Sequence, residues 1–488
     1  MDTPRPNIVL ITADQWRGDC VGYRRGRHPV MTPHVDQIAA EGVAFRHAYV
    51  ECPVCMPQRM TMLTGQVASR FGLPHNFSTR PPIDSTRTLP ARLSREAGYQ
   101  TKAVGKMHFM PDRARYGFEH ITLHPDDYVV WLEEQGYGGF YRGHGLGGNE
   151  VYPATYPTPA HYSHTHWIID QGIRFLQQRD PENPFFLWMV FEAPHSPFDP
   201  PPPYDRMYDN FTIPDPVYGD WCDTAAEPAM FRMRRTMLKY DNLTDEMVRE
   251  SRRRYYGQVS HIDYCLGRFL GELRSRGLYD DTVVIFTSDH GEHLGDHGLW
   301  GKITYLQGSV DVPLVARFPD WVPLARSGGE VDTPVLSADL CPTLLDLAGL
   351  TPGDDVDGIS LLPMLASAEP TERIVGGEYG PTDNCTLFAT DGKLRYVYYS
   401  KGGVEQLFDL ETDPDTLHNV IEDDVYAGRA DPLRDWLIAH LQRYDRPVVQ
   451  DGRLVATDPD FDATDLRTRN PFAWRGPMRY GQGYGGGW

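Results

Sequence analysis

Asn7-Ile8-Val9-Leu10-Ile11-Thr12 ends in Ala13-Asp14-Gln15, and Thr282-Val283-Val284-Ile285-Phe286-Thr287 ends in Ser288-Asp289-His290-Gly291. Both runs are apolar and rich in β-branched residues, the pattern of a strand covered on both faces. Two more stretches read alike: 101–104 (TKAV) before Gly105-Lys106-Met107-His108, and 185–191 (FFLWMVF) before Glu192-Ala193-Pro194-His195. Helical patterns lie between them. Residues 33–41 read as a helix closed by Gly42, 89–97 as one closed by Gly98, and 253–276 as a longer one stopping at Gly277. Strand and helix in alternation predict an α/β fold, a large, mostly parallel sheet sandwiched by helices. In such sheets ligands bind beyond the carboxyl ends of the strands. All four polar clusters fall at that end.

The chain has 488 residues, 40% of them hydrophobic and 23% charged, with a formal net charge of -20. That size suits one large domain plus a smaller one. So acidic a surface is not built to coat nucleic acid or an anionic membrane. An anionic substrate would need positive charge concentrated locally. The N-terminus lacks a basic segment followed by an apolar one, and no apolar stretch approaches the roughly 18 to 20 residues of a spanning helix. Seven scattered cysteines (Cys20, Cys52, Cys55, Cys222, Cys265, Cys341, Cys385) argue against a disulfide framework. The expectation is a cytoplasmic protein.

Residues 110–165 and 197–250, rich in Pro, Gly, Tyr and Asp, read as long excursions that shape the rim of a pocket. Near residue 376 the pattern changes. Residues 384–399 read as a hairpin turning at Asp391-Gly392, 406–410 as a further strand and 431–444 as a helix. The predicted division is a catalytic domain over 1–375, a small antiparallel α+β domain over 376–445, and an extended tail over 446–488. The tail's Arg, Tyr and Trp amid Gly suit an oligomer contact or a frayed terminus equally.

Cys55-Met56-Pro57-Gln58-Arg59 places a cysteine where a helix begins, since Pro57 suits a first turn and the helix runs to Gly65. Backbone N–H groups and the helix dipole favour negative charge there. Arg59, four residues on, shares the face of Cys55. Five residues thus offer a nucleophile, an anion cradle and a fixed cation. Taken alone, so short a pattern favours a buried structural cysteine beside a surface arginine.

Followed by Leu63-Thr64-Gly65, this motif resembles that of the formylglycine-dependent sulfatases, within the alkaline phosphatase superfamily. The resemblance continues along the chain: residues 5–11 with Asp14, then Thr32-Pro33-His34-Val35-Asp36, Gly105-Lys106-Met107-His108, Ala193-Pro194-His195-Ser196-Pro197, Ser288-Asp289-His290-Gly291, residues 295–302, and Asp409-Leu410-Glu411-Thr412-Asp413-Pro414. It implies that Cys55 is oxidised to formylglycine by a maturation enzyme. The usual Ser after the Pro is replaced by Gln58. Cys52 lacks the Pro and Arg spacing and is excluded as nucleophile.

The resemblance also implies one divalent cation. Asp14 and Asp289 end two strands, and each is followed by a further donor, Gln15 and His290; with the Cys55-derived group they make a plausible set. The Asp-Gln and Asp-His pairs resemble the arylsulfatase, choline-sulfatase and phosphonate monoester hydrolase branch. The imidazole moves the preference from Ca²⁺ towards Mn²⁺ without deciding it. A rival reading makes His290, His293 and His297 a zinc cluster. Lys106, His195 and Lys302 would hold the anionic oxygens, with Asn76 a further substrate contact. His195 or Lys302 would donate to the leaving oxygen, and His108 would take a proton from a covalent sulfo-enzyme intermediate. The implied activity is hydrolysis of small or aryl sulfate esters. The alternatives are phosphonate monoester or phosphodiester hydrolysis on the same scaffold, and a catalytically silent anion-binding relative. A homodimer or homotetramer is expected, with no nucleic-acid or membrane partner.

Overall fold

The computed structural model describes residues 5–238, 240, 243–324, 329–367 and 371–459. Its largest feature is an eight-stranded sheet made of β1 (Asn7–Asp14), β2 (Val43–Phe45), β4 (Gln100–Gly105), β5 (His120–Leu123), β6 (Phe185–Pro194), β7 (Thr282–Ser288), β8 (Leu314–Arg317) and β9 (Gly329–Val331), β3 (Ala48–Tyr49) pairing apart from it. The order is β5-β4-β6-β1-β7-β8-β2-β9. The five strands from β5 to β7 run parallel. Strand β8 is antiparallel to β7, and β2 is antiparallel to β8 but parallel to β9. The predicted mostly parallel sheet is therefore present, with a mixed edge. The four strands that precede the polar clusters are consecutive neighbours, β4-β6-β1-β7, in matching register: Ala13 lies opposite Ser288 and Phe191, and Gly105 opposite Val190.

Alternate residues of β1 feed two cores. Ile8 and Leu10 join a cluster with Met60, Leu63, Leu89, Leu93 and Leu344, from helices Cys55–Thr64, Leu89–Ala97 and Leu340–Leu347. Val9, Ile11 and Ala13 join the opposite cluster with Val35, Ile38, Ile168, Ile262 and Phe269, from helices Pro33–Glu41, His164–Gln178 and Asp245–Ser275. Period-2 alternation with both faces apolar explains why the strands read as unbroken hydrophobic runs.

Two helices match their expected bounds, Pro33–Glu41 and Leu89–Ala97. The long helix begins at Asp245, earlier than its apolar periodicity suggested. Thr244 Oγ1 accepts the Met247 N–H at 3.3 Å, and Asp245 and Glu246 occupy the first turn, so a cap and the dipole start it before the apolar stripe does.

The small sheet is antiparallel, in the order β11 (Val375–Tyr379), β12 (Thr386–Thr390), β13 (Leu394–Tyr399) and β14 (Val404–Asp409), β10 (Val335–Leu336) pairing with β3 elsewhere. The hairpin at Asp391-Gly392 is formed, and helix Asp431–Gln442 packs on β12 and β13. One face of this sheet joins the large domain. Phe388 stacks on Tyr305 with ring centroids 4.3 Å apart, and a Cβ on Gly377 would meet the Glu51 carbonyl at 2.0 Å. The predicted tail is not loop throughout: Val449–Gln450 pairs with Arg453–Leu454, and Thr457 N–H donates to the Ser400 carbonyl at 2.7 Å. From residue 460 onward it lies outside the described residues.

Candidate active site

Cys55 opens helix Cys55–Thr64, which is buried throughout and stops at Gly65 in a left-handed conformation, φ 71°. Asn76 Oδ1 accepts the Met56 N–H at 3.1 Å and satisfies one free donor of the first turn. Gln58 turns back, accepting the Cys52 N–H at 3.1 Å and donating to Glu51 at 2.7 Å. This buried bridge is what Gln58 does in the position where the resemblance led one to expect Ser.

Strand order brings the partners to Cys55. Asp14, Cys55, Asp289 and His290 are buried, with one potential ligand atom from each within 4.8 Å of the others. The two carboxylates divide their oxygens. Each Oδ2 faces a cation: Arg59 Nη2 lies 2.8 Å from Asp14 Oδ2 and 2.7 Å from Asp289 Oδ2, and Lys106 Nζ lies 2.6 Å from Asp14 Oδ2. Each Oδ1 faces inward, 3.5 Å and 3.6 Å from His290 Nε2. His290 Nδ1–H donates to the Gly291 carbonyl at 3.1 Å, which aims Nε2 at Cys55 Sγ, 3.2 Å away. A ligating histidine is commonly oriented by such a backbone bond. Two carboxylate oxygens, one imidazole nitrogen and the Cys55 side chain thus converge on one point, and this donor set fits a divalent cation.

The electrostatics agree. Burial and the Cys55 charge push the Asp14 carboxyl up, but Lys106, His195 and Arg59 together hold it below the usual range. Asp289 is raised by burial and by the neighbouring Asp14 charge. Burial opposes a charged Cys55, yet Lys302, His290 and hydrogen bonds from His108 and His195 bring its thiol well below the ordinary value. The position favours an anion.

Beyond β6, His195 Nδ1–H donates to the Ser196 carbonyl at 2.8 Å, so Nε2 accepts from Lys302 Nζ at 2.7 Å. Burial, then the charges of Lys302 and Lys106, push the His195 imidazole down to about 4. Lys302 also donates to Gln15 Oε1 at 2.8 Å. The Gln15 amide oxygen is therefore engaged by Lys302. Arg59 reaches past Cys55 to clamp Asp14 and Asp289 and donates to the Lys106 carbonyl. The rival zinc triad does not assemble. His293 Nε2 pairs with Thr304 Oγ1 at 2.8 Å and His297 Nδ1 accepts the Gly219 N–H at 3.2 Å, each organising its own loop.

Three supporting groups carried no signal strong enough to single them out. Glu192 lies near the end of β6 and is held by Arg142 at 2.8 Å and Tyr141 at 2.9 Å, both from the first excursion, with Lys106 at 3.9 Å. Glu292 accepts from Gln15, from Leu294 N–H at 3.0 Å and from Gly301 N–H at 2.6 Å, and so shapes the loop that carries Lys302. Asp296 gathers Arg17 at 2.5 Å, Arg252 at 2.8 Å, and Arg27.

Residues 6–350 match the sulfatase family profile. The chain belongs to the sulfatase family. Within this sulfatase, residues 295–443 also match a profile described as N-sulphoglucosamine sulphohydrolase, C-terminal. An arylsulfatase of Clostridium perfringens is 33% identical over 483 residues, covering 93% of this chain and 98% of that relative. A choline-sulfatase of Rhizobium meliloti is 30% identical over 465 residues, covering 90% of this chain and 88% of the relative. Among solved structures, a phosphonate monoester hydrolase from Silicibacter pomeroyi superposes with a TM-score of 0.76 at 25% identity, covering 94% of this sulfatase and 100% of that chain. Family membership makes the protein a sulfuric ester hydrolase, with phosphonate monoester hydrolases as structural neighbours. No described helix is long and apolar enough to cross a membrane.

Proposed function

We propose that this sulfatase hydrolyses small or aryl sulfate esters, using formylglycine made from Cys55 and one Ca²⁺ or Mn²⁺ held by Asp14, Gln15, Asp289 and His290. The observation that carries the reading is the inward convergence of Asp14 Oδ1, Asp289 Oδ1 and His290 Nε2 on the Cys55 side chain. When present, the aldehyde hydrate and the cation supply the attacking hydroxyl and the pull on the ester oxygen. The remaining work belongs to the chain's own residues. Arg59 and Lys106 fix the outer oxygens of the carboxylates, so the inner ones stay aimed at the site. Lys106 and Lys302 bind the non-bridging oxygens as preorganised donors, whereas His195, with both ring nitrogens engaged, holds Lys302 in place rather than contacting the substrate. Because His195 Nε2 accepts from Lys302, the proton of that pair sits on Lys302 Nζ, which makes Lys302 the donor to the leaving oxygen. His108, hydrogen-bonded to the Cys55 side chain, takes the proton released as sulfate departs.

The seven free cysteines support a reducing, cytoplasmic setting, in which a maturation enzyme acts on Cys55. Phosphonate monoester hydrolysis is the second reading, favoured by the solved neighbour at TM-score 0.76. Parallel rates on an aryl sulfate and a phenylphosphonate ester, with mature enzyme, separate the two. Faster sulfate turnover is expected, and phosphonate turnover faster by orders of magnitude would reverse the assignment.

A further inference from the structure

Away from the catalytic cluster, helix His164–Gln178 packs against helix Asp245–Ser275. His166 comes from the first. His261 and Cys265 come from the second, one turn apart on the same face. One potential ligand atom from each lies within 4.8 Å of the others. His261 and Cys265 are buried, and His166 is half-buried at the mouth of the group. His261 Nε2 is buried with no hydrogen-bond partner. Its ring neighbours Tyr204, with centroids 4.6 Å apart, and stacks with His166 at 5.9 Å. Burial, then the neighbouring His166 and His164, hold this imidazole well below its ordinary value, so it stays neutral with a lone pair to offer.

We propose that His166, His261 and Cys265 form a second metal site, for a soft divalent ion of the zinc type, which ties these two helices together. The donor set differs in kind from that of the catalytic centre. Two imidazoles and a thiolate select zinc-like ions, whereas carboxylates and amide oxygens suit Ca²⁺ or Mn²⁺. Three protein ligands leave a fourth tetrahedral position for water, on the side where His166 meets solvent. On binding, the Cys265 thiol proton passes to solvent. One contact opposes the ion: Arg268 Nη1 donates to His166 Nδ1 at 2.9 Å. Arg268 Nη2 is also anchored on Asp170 at 2.8 Å, and both of these side chains are exposed, so the guanidinium can release the imidazole and keep its carboxylate. Two other buried groups suit a cation less. In Asp19–Cys20–His28 the carboxylate is already bonded twice by Arg17, at 2.6 Å and 3.0 Å. In His124–His164–Glu192 the carboxylate already faces Arg142 and Lys106.

Cobalt reports the site directly. Full-length protein carrying Cys55→Ala, which removes the sulfur of the catalytic cluster, is stripped with a chelator and titrated with Co²⁺. A near-ultraviolet thiolate-to-cobalt band should grow, saturate at one equivalent, and bleach on adding Zn²⁺. In the same background Cys265→Ser should abolish the band. His166→Ala, at a half-buried position that leaves both helix cores intact, should weaken binding by more than the roughly 10- to 100-fold expected from losing an outer-shell partner. Absence of the band in the parent, or its survival in Cys265→Ser, overturns the proposal.

Discussion

Arg59 is fully buried between two buried carboxylates. Its removal leaves Asp14 and Asp289 facing one another without a cation. Arg59→Ala should therefore cost about 3–5 kcal/mol in chemical denaturation of the metal-free protein, the usual penalty for breaking a buried ion pair. Arg59→Lys should recover only part of this, because an ammonium cannot fork to both carboxylates. Lys302 makes a different prediction. Lys302→Ala should lower kcat by roughly 10²–10³, and the loss should be largest for aryl sulfates with basic leaving groups, read as a steeper dependence of rate on leaving-group pKa. A uniform loss across the series would assign Lys302 to binding alone. At this scale the sequence was readable where a polar residue followed an apolar run, as with Asp14, Lys106, His195 and Asp289, which the fold brings together. Arg142 was not readable. It reaches Glu192 from a loop without periodicity, and nothing local distinguishes it from the other arginines of the excursions.

Gly105 shows how the elements carry the site. It ends β4 at φ 103°, and a Cβ there would meet the Val190 carbonyl of β6 at 2.0 Å. Gly105→Ala must push β4 away from β6 and carry Lys106 with it. The expected result is a lower Tm together with a fall in kcat/KM larger than the Tm change alone explains. Gly98→Ala is the control for the left-handed strain, since it shares a positive φ of 72° but has nothing within 4 Å of the added carbon. The parallel strands were legible because burial on both faces leaves them continuously apolar. The mixed edge was not, since β2, β8 and β9 span only three or four residues each and carry little pattern. The long helix was placed late for a related reason: its first two turns are mostly charged or polar, and a cap sets their start.

The whole molecule buttresses the helix that Cys55 opens from the small sheet. Gly377 of β11 packs on the Glu51 carbonyl, and the Glu51 side chain receives Gln58 at 2.7 Å and the Ala338 N–H at 2.7 Å. Burial pushes the Glu51 carboxyl up to about 7, against those two hydrogen bonds. An acid whose folded value lies above its unfolded value of about 4.3 contributes stability that is present below pH 4 and lost as pH rises through about 7. The wild type's advantage over Glu51→Gln should therefore shrink between pH 5 and pH 8, measured by thermal denaturation at each pH. A constant offset would show that Glu51 keeps one protonation state across that range. Asp14 and Asp289, 275 residues apart in the chain, are proposed to share one ion. Elemental analysis of the mature enzyme after gel filtration tests it most directly. One equivalent of calcium or manganese per chain is expected, falling to background in both Asp14→Asn and Asp289→Asn. Neither ion in the wild type, or full retention in either variant, would contradict the account.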